Sequence, residues 1–142
     1  MRLAARMGTL AAAGSMLAGT LLIQGAAPAN AAGITFSSFY YGNGRMITAY
    51  IDGNYAATAE WVQDPPAGGG PGDNLCVTDD RGDGFWATAG ISANRSVSSK
   101  GKPSPSRTCK GGDLPEDHTF VMKLCVTNGA RAACSKAYDI SS

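Results

Sequence analysis

Four cysteines placed behind an export signal constrain this 142-residue chain more than any other feature. Arg2 and Arg6 open it with positive charge. An apolar stretch runs from Met7 to Ile23, and small residues then lead to Ala29-Asn30-Ala31, an A-x-A cleavage pattern. No Asp or Glu precedes Asp52. Residues 1–31 are therefore expected to be a secretory signal peptide and residues 32–142 a secreted, extracellular domain. Gly14, Ser15, Gly19 and Thr20 dilute the apolar run, which is short for a membrane span, so no span is expected. No Cys follows the cleavage pattern, which argues against a lipid anchor.

Cys76, Cys109, Cys125 and Cys134 all fall in the exported part. An even count in that compartment reads as two disulfides. The spacings of 33, 16 and 9 residues contain no C-x-x-C pair, and His118 is the only histidine, so zinc-site spacing is absent. No metal or other cofactor is expected. Four cysteines allow three pairings. Cys125–Cys134 with Cys76–Cys109 is favoured, because a hairpin loop at Asn128–Arg131 would set Cys125 directly opposite Cys134. Cys76–Cys109 would then tie the middle of the sheet to a long basic loop. The Ala- and Gly-rich style suggests a high-GC Gram-positive bacterium.

Removing the signal leaves ten Lys and Arg against eleven Asp and Glu, a formal charge of −1 where the whole chain carries +1. Such a surface lacks the basic field that non-specific nucleic-acid binding needs. The remaining length suits one domain, small enough to profit from cross-links.

Apolar residues recur with a period of two, and no stretch after the signal shows a helical period. Ile34–Tyr41 is rich in β-branched and aromatic residues. Arg45–Ile51 and Tyr55–Val62 flank the turn signal Asp52-Gly53-Asn54. In the second arm Tyr55, Ala57, Ala59 and Trp61 fall on one face. Beyond a Pro/Gly loop at 64–73 come strands at Asn74–Thr78 and Phe85–Ile91. Residues Asn94–Ser106 read as a weak strand plus a loop. Thr119–Thr127 is the clearest core strand, with Phe120, Met122, Leu124 and Val126 on one face, and Ala132–Ile140 closes the sheet. Seven or so short strands in one domain predict an all-β fold: a small antiparallel β-sandwich, immunoglobulin-like, with two disulfides.

Catalytic patterns are sparse. His118 sits in a turn, and no G-x-S-x-G elbow occurs to support a hydrolase triad. Asp79, Asp80 and Asp83 lie close together, but an EF-hand loop begun at Asp79 would place Arg81 third and Gly90 twelfth, where ligands are required. Turn chemistry accounts for these aspartates, and for Arg81-Gly82-Asp83. No catalytic residue is assigned. Arg95, Lys100, Lys102, Arg107 and Lys110 form a basic stretch that reads as a solvated loop balanced by Asp113, Glu116 and Asp117.

Aromatic residues give the better binding clue. Adjacent Tyr40-Tyr41 and Phe85-Trp86 must each send one ring to the opposite face of an alternating strand. Phe39, Tyr40, Tyr41 and Trp86 are thus the candidate interaction surface, facing another secreted protein or a cell-surface glycan. The alternative is a secreted enzyme inhibitor or small antibacterial toxin, with Lys102-Pro103-Ser104-Pro105 as the stiffer loop to present.

Two resemblances accompany this reading. Tyr41-Gly42-Asn43-Gly44 is similar to the YGNG box of pediocin-like bacteriocins, but Arg45, Met46 and Ile47 follow it and the next Cys is Cys76, so Asn-Gly as a turn is the reading kept. The overall build of signal, about one hundred exported residues, cysteine pairs and hydrophobic first strand resembles the adaptor subunits of umbrella toxin particles. That resemblance implies a non-enzymatic adaptor joining a lectin-like subunit to a stalk, with Ile34–Tyr41 as the segment lodged in its partner.

Overall fold

A computed structural model describes residues 31–63 and 72–142. The expected export signal lies outside the described residues except for Ala31, as do residues 64–71 of the Pro/Gly loop. Every regular element described is a strand: β1 (Ile34–Tyr41), β2 (Gly44–Ile51), β3 (Asn54–Val62), β4 (Asn74–Asp79), β5 (Trp86–Ile91), β6 (Arg95–Ser98), β7 (Ser106–Lys110), β8 (Thr119–Thr127), β9 (Ala132–Cys134) and β10 (Tyr138–Ser141).

Turn chemistry sets the first sheet. Tyr41 pairs with Gly44 and Ile51 with Asn54, leaving the two-residue loops Gly42-Asn43 and Asp52-Gly53. Asp52 and Gly53 have φ of 51° and 77°, the positive values that a tight hairpin of this length demands. The resulting antiparallel meander β1-β2-β3-β4 is completed at one edge by β7. The second sheet runs β10-β8-β5-β6, with β9 also paired to β8. The two-disulfide antiparallel sandwich expected from the pattern is the fold.

The sheets face each other through the alternating residues. Ile34, Ile47, Ala49, Ala59, Trp61, Leu75 and Val77 meet Ala87, Ala89, Ile91, Met122, Leu124 and Val126. Alanine lets large neighbours such as Trp61 and Met122 fill the space without overpacking. Trp61, 1% exposed, crosses between the layers: its indole Nε1–H donates to the Ser141 carbonyl at 2.8 Å.

Three local expectations change. Tyr55 does not share the face of Ala57, because the ladder with β2 shifts between Ala49 and Tyr50. Ala56 is the extra residue of this bulge, so Tyr55 turns outward beside Tyr50. Cys109 lies not in a loop but in β7, a strand that sequence pattern hides because it buries little apolar surface. The closing stretch is two strands rather than one. Between them Ser135 is buried and trades bonds with Leu124, its amide donating to the carbonyl at 2.8 Å and its Oγ accepting the amide at 3.1 Å.

Both favoured disulfides are present, Cys76–Cys109 and Cys125–Cys134, each with 4.0 Å between Cα atoms. Each joins directly opposite residues of neighbouring strands in one sheet.

Candidate functional site

Alternation that sends Ile47, Ala59 and Leu75 inward sends their neighbours outward, and register stacks these into rows across the first sheet. One row runs Ser37, Thr48, Thr58, Thr78, Arg107. The next runs Phe39, Met46, Glu60, Cys76, Cys109. Aromatic pairs flank the hydroxyl row on both sides: Tyr50 with Tyr55, ring centroids 6.4 Å apart, and Phe39 with Tyr41, 6.2 Å apart. Phe39 is 51% exposed and Tyr55 44%.

The charges on this face are tied to one another. Tyr41 donates its hydroxyl to Glu60 Oε1 at 2.6 Å, while Arg107 binds Glu60 Oε2 and sits 3.3 Å from Thr78 Oγ1. Burial works against the Glu60 carboxylate, yet the hydrogen bonds from Tyr41 and Arg107, with the Arg107 charge, hold its pKa below the ordinary value. Burial first, and then the bond to Glu60, push the Tyr41 hydroxyl well above its ordinary range. Tyr55 is raised similarly, by burial and by donation to Asp80 Oδ2 at 2.8 Å. The glycine of the Tyr41–Gly44 turn has a steric reason here: a Cβ on Gly44 would lie 2.4 Å from the Trp61 carbonyl and 3.0 Å from the Tyr41 ring.

The four aromatic residues expected to form a surface are divided. Phe39 and Tyr41 share this outer face. Tyr40 points to the other side of β1, where its hydroxyl donates to the Asp139 carbonyl at 3.0 Å and its ring lies 3.6 Å from the Arg45 guanidinium. Trp86 stands half-buried on the outer face of the second sheet, 5.0 Å from Lys100 Nζ. Sequence reasoning missed Met46, Tyr50, Tyr55 and the hydroxyl row. The two hairpin turns held the signal, since counting outward from them gives the register that aligns these residues.

Other chemistry-bearing groups serve the fold. Asp79, buried, accepts from Ser99 and Ser104 at 2.9 Å each and from the Arg81 amide at 3.3 Å. Asp83 accepts from the Phe85 amide at 3.0 Å and lies 3.7 Å from Arg81. With Asp80 engaged by Tyr55, the three carboxylates do not converge, and among the described residues no cluster of His, Cys, Asp or Glu is placed to hold a metal ion. His118 is exposed, with Nδ1 2.8 Å from the Glu116 carbonyl and its ring stacked on Phe120. The basic stretch is dispersed: Arg95 is buried against the Asp73 and Gly112 carbonyls, and Lys102 reaches Thr108 at 2.7 Å. No helix among the described residues is long and apolar enough to cross a membrane.

Comparison with family models finds no matching family, and no curated protein or solved structure matches the chain.

Proposed function

We propose that this chain is a secreted, non-enzymatic binding module that holds an extracellular partner against the outer face of its first sheet. The observation that carries this reading is the pair of aromatic clusters flanking a row of Ser and Thr hydroxyls. Exposed rings on a sheet provide contact area at little entropic cost, and the exposed Ser37 and half-buried Thr78 hydroxyls supply direction, while Thr48 and Thr58 between them are buried. Glu60 and Arg107 neutralise each other, so little free charge needs to be desolvated when a partner closes over them. The partner is another secreted protein or a cell-surface glycan. An adaptor in an extracellular assembly is the narrower form of the same reading: β1, which the overall build equates with the lodged segment, carries Phe39 and Tyr41 on this face.

Export rests on the N-terminal pattern and is supported by the two disulfides, which persist in oxidising compartments. The non-enzymatic part is supported by the structural tasks that occupy His118 and the Asp79–Asp83 carboxylates.

The test is co-sedimentation with isolated producer cell walls and co-purification from culture fluid, comparing wild type with Phe39→Ser/Tyr55→Ser. Both residues are exposed, so the variant is expected to keep its melting temperature within a few degrees while losing at least tenfold in partner retention. Undiminished retention by the folded variant overturns the assignment of this face. An inhibitor reading has one observation behind it: Ser99 and Ser104 anchor the loop Lys100–Pro105 to Asp79 from both ends. Inhibition within a protease panel, abolished by Lys102→Ala, would move the function to that loop.

A further inference from the structure

At the end of the sandwich one cation has no opposite charge paired with it among the described residues. Arg45 lies on the inward side of β2, one step of the alternation beyond the last core residue, Ile47. Its guanidinium is held between two rings, 3.6 Å from the Tyr40 centroid and 5.1 Å from that of Tyr138 across the layers. Nη1 donates to Ser38 Oγ at 3.0 Å. Nε is shielded from solvent and has no acceptor among the described residues. The ion pairs among the described residues join other partners: Arg81 with Asp83, Arg107 with Glu60 and Arg131 with Asp52.

A cleft of about 170 Å³ opens beside this group, walled by Tyr40, Asn43, Arg45, Trp61, Gln63 and Ile140. No carboxylate among the described residues lines it. Its volume is below the roughly 300 Å³ at which whole small-molecule sites begin, so it suits one residue of a larger ligand. Stacked rings fix the guanidinium plane and leave its edges for hydrogen bonding. The outer edge of the guanidinium, the second N–H of Nη1 together with Nη2, offers two parallel donors that match a carboxylate, while the shielded Nε is not one of them. The Gln63 amide and the Tyr40 ring, 64% exposed, are the kinds of group that meet sugar hydroxyls and the apolar face of a pyranose.

The geometry points to a subsite for the carboxylate of an acidic sugar residue, seated on the edge of Arg45 with Tyr40 as its outer wall. The subsite occupies the cleft rather than the outer face of the first sheet, so it stands or falls separately from the binding face proposed above. The experiment is a titration of the ¹⁵N-labelled protein, followed at the Arg45 Nε–Hε resonance and the Gln63 side-chain amide. Probes are glucuronate, glucose, N-acetyl-alanine and chloride, at matched ionic strength. Glucuronate is expected to shift both signals saturably, while the other three leave them unmoved. Arg45→Lys, which keeps the charge but loses the planar edge, is expected to weaken binding at least tenfold, and Tyr40→Ala several-fold. Tyr40 is exposed, so the second variant keeps the test valid if the first fails to fold. Equal response to glucuronate and chloride, saturation by N-acetyl-alanine alone, or undiminished binding by folded Arg45→Lys would each overturn the proposal.

Discussion

Glu60 shows how one outward-facing acid organises its surroundings. It stands on a strand face where an unpaired carboxylate would cost desolvation, and it keeps its charge because Tyr41 and Arg107 both donate to it. Its pKa in the folded chain is below the ordinary 4.5, so its stabilisation is complete above that pH and is lost as the pH falls through the folded value. Tyr41 works in the opposite sense: its raised pKa means that stabilisation holds below the ordinary 10.0 and is lost as the pH climbs above it. Tyr41→Phe removes a hydrogen bond to a charged group and is expected to cost about 1–2 kcal/mol at pH 7. Urea unfolding should show that gap narrowing as the pH is lowered from about 4.5. Sequence alternation showed that Tyr40 and Tyr41 must part, and they do. It could not show that Tyr41 would meet Glu60, because that contact depends on the register of three strands.

At the level of elements, turn residues carried most of the information. Asp52-Gly53 placed the central hairpin, and the four-residue loop after Thr127 placed Cys125 opposite Cys134. Two features escaped. The bulge at Ala56 has no local mark, since alanine fits either face, and only the ladder with β2 reveals it. Strand β7 escaped because its sequence, Ser106-Arg107-Thr108-Cys109-Lys110, is that of an edge: Arg107 and Lys110 blunt an exposed ladder but erase the hydrophobic signature of a strand. The cross-link to Cys76 therefore matters more than its counterpart on β8. The two bridges span 33 and 9 residues of sequence. Chain-entropy arguments make the longer closure worth about 1 kcal/mol more. Paired Cys→Ser replacement should accordingly lower unfolding stability further for Cys76/Cys109 than for Cys125/Cys134, as measured by urea titration.

Over the whole molecule, the sheets are joined by packing and by a few long polar contacts. Trp61 is the largest buried side chain and also supplies a hydrogen bond between layers. Trp61→Phe is expected to cost about 2–3 kcal/mol, from lost volume and a buried carbonyl left without its donor. Trp86 stays as the fluorescent probe of the transition. Which strands enter which layer was not legible: the sequence gives no local sign that β7 returns to the first sheet after β5 and β6 have built the second. The divided aromatic surface follows from that, since the layer holding Trp86 is not the layer holding Phe39. The position of the two bridges has a further consequence. Leu75 and Val77 point inward around Cys76, and Leu124 and Val126 do so around Cys125, so both sulfur pairs lie on the outsides of the sandwich. The hydrophobic interior can thus assemble without them, and only a correctly registered ladder brings each pair of thiols within bonding reach. Oxidation then acts as a final inspection: a chain slipped by one residue would keep its thiols free, and only a chain with its ladders in register would be sealed.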